Sequence, residues 1–158
     1  MRRLPAAALA LAAACGDSTE PGDGSRALVG TYAIEATYTT LRPDARLPAT
    51  TPATATLSGT VVVADTSVTN GALITFPDVR LTAAFCATRG ACSPSESYGG
   101  VTTYFGPGSP VTLVFSSIAG ARTLHFEGPP AGDSIVGFAW YQVNNARYDG
   151  SFVARKRR

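Results

Sequence analysis

Histidine is nearly absent from this chain: His125 is the only one among 158 residues, and cysteine occurs three times. A structural zinc site takes four ligands and a catalytic one three. His125 and Glu127 share a strand face two residues apart, but no further histidine exists to complete a set. They read as a surface polar pair. A Ser-His-Asp triad would have to use His125, and no serine sits in the Gly-x-Ser-x-Gly context of a nucleophile elbow. Gly128 to Gly132 is proline-rich and lacks the spacing that cradles phosphate. The eleven acidic residues are scattered, so spacing marks no acid–base pair of the glycosidase kind. The expectation is a protein that is not an enzyme and has no cofactor or metal.

A basic excess is lacking as well, once the first fourteen residues are set aside as a leader. The thirteen basic residues less Arg2 and Arg3 leave eleven, against eleven acidic ones. Four of those eleven are Arg155, Lys156, Arg157 and Arg158, so residues 15–154 carry a net charge of −4. A nucleic-acid surface needs a basic face to displace counterions, and nucleic acid is therefore not an expected partner. The basic tail has two readings. It is a solvated terminus that keeps the edge of the last strand from pairing, or it touches anionic head groups; the first is preferred. Long apolar runs are missing too, apart from Leu4 to Ala14. Those eleven residues fall well short of the about twenty that a spanning helix needs.

That run is nonetheless informative. Arg2 and Arg3 form a positive head, and Ala12-Ala13-Ala14 supply the small residues that a signal peptidase needs beside its scissile bond. Cys15 follows, then Gly16, Asp17, Ser18, Thr19 and Glu20, a polar tether. Leu11-Ala12-Ala13-Ala14-Cys15 resembles the lipobox of bacterial lipoproteins, with the leucine four residues before the cysteine where the usual pattern has three. The resemblance implies a diacylglyceryl group and an N-linked chain of the palmitate kind on Cys15. One acyl chain binds a membrane marginally, whereas several hold it at about 0.8 kcal/mol per buried methylene. Gly16 rather than Asp after the cysteine points to the outer membrane, periplasmic face. A soluble secreted form cut at the same site and an uncleaved anchor are the other readings.

With Cys15 taken by lipid, Cys86 and Cys92 are left as a pair in an oxidising compartment, where a disulfide is expected. A metal or redox pair is the competing reading, but redox motifs space their cysteines by two residues. The organisation is thus a leader over 1–14, a lipid-anchored tether over 15–28 and one domain over 29–158.

From Val29 onward the pattern alternates with period two. Strands are expected over 30–38, 54–64, 72–76, 79–86, 101–105, 110–118, 122–128, 133–142 and 146–155, with a break or bulge at Pro77-Asp78. Turn chemistry separates them at Gly106-Pro107-Gly108, Ala119-Gly120, Pro129 to Asp133 and Asn144-Asn145. No stretch has helical periodicity. The fold class is all-β, a single antiparallel up-and-down barrel of about eight strands, with a β-sandwich as the alternative. The outline is similar to the lipocalin-like barrels. Gly30-Thr31-Tyr32 stands where that family opens its first strand, Leu41 to Ala53 matches its mouth-covering loop, and Arg155 its basic residue packing across the first strand.

Tyr32, Ile34, Tyr38, Phe76, Phe85, Phe105, Phe115, Phe126, Phe138, Trp140, Tyr148 and Phe152 are the candidates for the interior. An eight-stranded barrel is just wide enough to be filled by side chains or to hold one small ligand. The first functional reading is a membrane-anchored, non-enzymatic binding module for a small apolar or amphipathic molecule. Its ligand would enter past Tyr38, Tyr98 and Tyr104 and meet Tyr32 and Trp140 inside. The second is an interaction protein with a filled core whose loops contact another envelope component.

Overall fold

The computed structural model describes residues 26–41, 55–87, 92–117, 122–143 and 146–158. The leader, Cys15, most of the tether, the 42–54 loop, and the turns at 118–121 and 144–145 lie outside the described residues. Among the described residues there are ten strands: β1 (Gly30–Leu41), β2 (Ala55–Val63), β3 (Val68–Asn70), β4 (Leu73–Ala87), β5 (Glu96–Tyr104), β6 (Val111–Ser117), β7 (Arg122–Gly128), β8 (Pro130–Ala131), β9 (Ser134–Val143) and β10 (Ala146–Lys156). Every pairing is antiparallel, in the order β1-β2-β4-β5-β6-β7-β9-β10. β10 then pairs with β1, Tyr32 opposite Lys156, and the circuit of eight strands closes. β3 and β8 are short additions on β4 and β9. That closure makes the fold a barrel and not a sandwich, because a sandwich would leave strand edges unpaired.

Alternation decides which residues fill it. In β2, Ala55, Leu57, Val61 and Val63 are buried, while Thr56, Ser58 and Val62 are exposed. β1 and β4 likewise expose Glu35, Thr37, Arg80 and Thr82. The apolar side of the sheet therefore faces in, the reverse of a lipid-embedded barrel. The largest fully buried side chains are Tyr38, Tyr98, Tyr148, Phe76, Phe115 and Phe126.

Several expectations need correction. Residues 73–87 form one strand, not two, because the chain bulges at Pro77-Asp78 without leaving the sheet. Phe76 pairs with Thr102 and Val79 with Gly100, three steps on β4 against two on β5. This extra residue moves the buried set from Ile74 and Phe76 to Val79, Leu81 and Ala83. β5 starts at Glu96, earlier than expected, and runs through Gly99-Gly100. A Cβ on Gly100 would strike the Phe115 ring, so the glycine is where that ring finds its space. Phe105 is 60% exposed in the turn after β5.

Phe138 and Trp140 are on the outer wall, not inside, since Ile135, Ala139 and Tyr141 hold the inward positions of β9. The small inward residues are dictated by their partners. Gly137 faces Phe152 and Ala139 faces Phe126, and two large rings leave no room for a third.

Candidate functional site

Two ends of the barrel have different characters. At the base, β1 begins and β10 finishes. Tyr32 donates its hydroxyl to the Leu28 carbonyl at 2.9 Å. Burial, reinforced by Asp133, pushes its pKa up to about 12. Lys156 donates to the Ala27 carbonyl at 2.8 Å and holds Nζ 5.9 Å from the centre of the Tyr32 ring. Packing across the first strand thus falls to Lys156. Arg155, expected in that place, points the opposite way on β10 and is exposed, because neighbouring residues of a strand face opposite sides.

Above this base Leu28, Tyr32, Val61, Val63, Thr102 and Ile135 enclose a void about the size of one water molecule. Thr102 Oγ1 has no partner among the described residues. A buried water takes two to four polar partners, and an apolar lining with one free hydroxyl does not supply them.

The opposite end is where β1 leaves toward residue 42 and where β4, β6 and β9 finish. Here Tyr141 meets Tyr38 edge-on at 4.6 Å, stacks on Tyr148 at 4.7 Å and touches Phe85 at 5.3 Å. The Arg122 guanidinium lies 4.8 Å from the centre of the Phe85 ring. Arg122 also donates to Glu96 at 3.2 Å and to the Tyr98 hydroxyl at 3.0 Å, and Tyr98 donates to Glu96 at 2.7 Å. Arg122, Glu96 and Tyr98 therefore satisfy one another. Burial first, then the hydrogen bond to Glu96, raises the Tyr98 pKa. Tyr141 is pushed up to about 12 by burial and by Tyr148. Tyr38 is raised far above the usual tyrosine range by burial. The hydroxyls of Tyr38 and Tyr148 are buried without a partner among the described residues.

No protein-family model, curated protein or solved structure matches the chain.

The five expected ligand-binding residues are thus split three ways. Tyr38 and Tyr98 come together at the loop end, but both are buried in side-chain packing, not exposed at an entrance. Tyr32 and Tyr104 lie toward the base; Tyr104, paired with Ile74 and Val111, is a strand length from the 42–54 loop it was expected to serve. Trp140 is outside. It stacks on His125 at 5.0 Å with planes 9° apart, and Arg147 covers it at 4.5 Å. His125 is within 3.2 Å of Glu127, and Arg147 is bound to Asp149 at 2.9 Å, so this wall carries a ladder of paired polar groups. No group of three His, Cys, Asp or Glu side chains gathers for a metal among the described residues.

Sequence reasoning missed Tyr141, Arg122 and Glu96 at the loop end. The visible signal for Tyr141 was the period-two continuation from Ala139. Nothing local marked Glu96 and Arg122, which are 26 residues apart and meet only through the sheet. The disulfide is formed between Cys86 and Cys92, and Ser93 clips the same turn through its amide to the Phe85 carbonyl at 2.7 Å.

Proposed function

We propose that this chain is an envelope lipoprotein, acylated on Cys15, whose barrel is a non-enzymatic interaction module with a filled core. The observation that carries this is the interior itself. Tyr38, Tyr148, Phe76, Phe115 and Phe126 are all but inaccessible, and the void near the base is no larger than one water molecule. A ligand-carrying cavity of several hundred Å³ is the usual requirement for a small-molecule site, and among the described residues buried rings fill the interior. Contact with another envelope component is then made by surfaces and loops. The outer membrane, periplasmic face, is the proposed address, resting on the lipobox-like leader.

The test is native mass spectrometry on the chain extracted from the envelope in detergent. The expected product begins at Cys15, carries acyl mass and retains no small molecule. An extra mass that leaves on denaturation would overturn the filled-core reading.

A second reading, a binding module for a small amphipathic molecule, draws on one observation. Tyr38 and Tyr148 bury hydroxyls with no partner among the described residues, at the end nearest the 42–54 loop. An unpaired buried hydroxyl costs about 1–3 kcal/mol, and a bound polar group would remove that cost.

A further inference from the structure

We infer that the outer wall of the barrel near its base, formed by β4, β2, β1 and β10, is a docking surface for an anionic lipid bilayer. The inference rests on the reading that Cys15 carries lipid, and adds which side of the barrel meets the membrane. The basic C-terminal run does not guard an unpaired strand edge. β10 is paired with β1 as far as Lys156 and with β9 as far as Arg155. No open edge is left there for these charges to guard, so the cations serve something else.

Their placement is regular. Arg155 is exposed on β10, and Arg157 just beyond it is held by its amide to the Thr31 carbonyl at 2.7 Å. Thr31 is opposite Val62, and Val62 is opposite Arg80, so the register brings Arg80 into the same lateral row. Arg26 opens the described chain at this end. The guanidinium groups of Arg26, Arg80, Arg155 and Arg157 form no hydrogen bond or ion pair with another described residue. By contrast, Arg158 is spent on Asp133 at 3.1 Å, and Lys156 on the Ala27 carbonyl.

The residues between the free cations are uncharged: Thr31, Ala33, Thr60 and Val62, the last 43% exposed. The unpaired carboxylates nearest this row are Asp78, exposed at the β4 bulge two residues before Arg80, and Glu35, opposite Val153 and one outward position above Ala33; the four free cations outnumber them. Beside Val153 is Val136, 48% exposed. Unpaired cations interleaved with exposed apolar side chains fit the head-group layer, where phosphates take the charge and the apolar groups reach the acyl boundary. The geometry of the anchor agrees. Cys15 is eleven residues from Arg26, so lipid on Cys15 holds the base near the bilayer. The loop end is a strand length further away.

Residues 16–158 contain all ten strands and every buried core residue, and so carry the whole barrel without the leader or the lipid. This protein is mixed with sedimentable vesicles of phosphatidylglycerol and phosphatidylethanolamine, and separately with phosphatidylcholine vesicles. Binding to the anionic vesicles is expected, falling as salt rises. Each cation near such a surface contributes about fivefold to partitioning. Together Arg80→Gln, Arg155→Gln and Arg157→Gln should lower it by about a hundredfold. The matching lysine substitutions should retain it, with the urea midpoint unchanged in both. Equal partition into the two vesicle types, or indifference to the glutamine substitutions, would overturn the inference. The mass of the envelope-extracted full chain tests the anchor separately: no acyl mass on Cys15 sinks the lipoprotein reading, while the vesicle result still decides the surface.

Discussion

Tyr141 lies flat against Tyr148, ring centroids 4.7 Å apart and planes 7° from parallel. Both rings belong to the core, yet Tyr148, like Tyr38 on the other side of Tyr141, buries a hydroxyl with no partner among the described residues. Tyr148→Phe and Tyr38→Phe keep the ring packing and remove the unpaired group. Each should raise stability by about 1 kcal/mol, seen as a higher urea midpoint. A fall instead would mean that the hydroxyl is satisfied in solution by a bound molecule, and would favour the ligand reading.

Phe126 is fully buried and touches Phe152 at 5.2 Å and Phe115 at 6.0 Å, ring centre to ring centre. Phe126→Ala should cost about 3–5 kcal/mol through lost burial and a residual cavity. A loss below about 1 kcal/mol would show that this part of the barrel is not close-packed as described.

Lys156 and Arg155 are neighbours with opposite tasks. Lys156→Gln removes the bond to Ala27 and the cation above Tyr32, and should cost about 1 kcal/mol. Amide exchange should quicken in residues 26–29, where Val29 is tied to the Arg26 carbonyl. Arg155→Gln should leave both stability and exchange unaltered. The reverse ranking would return the packing role to Arg155.

Alkaline titration should unfold the barrel. Tyr32 and Tyr141 have pKa values pushed up to about 12 in the folded chain, from an ordinary value of 10.0. The unfolded chain therefore loses these protons first. Their contribution to stability is complete below pH 10 and is lost as pH rises from there through about 12. Unfolding free energy followed from neutral to alkaline pH, beside tyrosinate absorbance, checks both the direction and the window. A flat profile across that range would refute it.

Cys86→Ser with Cys92→Ser should lower stability by about 2.4 kcal/mol, the loop-closure value for so short a bridge. The closed circuit of strands should survive, because β4 and β5 pair from Ile74 to Ala83 independently of the bond. Far-UV circular dichroism and the urea midpoint of the double variant decide this. Collapse of the β signal at neutral pH would show that the bridge is required for folding.

Most strands are legible from alternation alone, and Ile34, Tyr148 and Phe152, expected inside for that reason, are buried. On β9, side-chain size misleads about which side faces in. Phe138 and Trp140 are the largest apolar residues of β9, but Gly137 and Ala139 face in because Phe152 and Phe126 fill the space opposite. The bulge at Pro77-Asp78 was visible, whereas its effect on facing was not, since a bulge changes parity only in relation to the partner strand. At the loop end, Tyr38 and Tyr98 were picked out and Tyr141 was not, although it is the ring that joins Tyr38 to Tyr148.

What the sequence by itself determined is the class of object. Period-two alternation with regular turns dictates antiparallel strands, and two cysteines six positions apart lie within reach of one bridge. These are local properties, set by side-chain direction and chain length. Closure of the sheet, the meeting of Arg122 with Glu96, and the lateral row from Arg80 to Arg157 were decided only by tertiary structure. Each depends on register between segments far apart in the chain, and register is selected by how neighbouring side chains fill a shared interior.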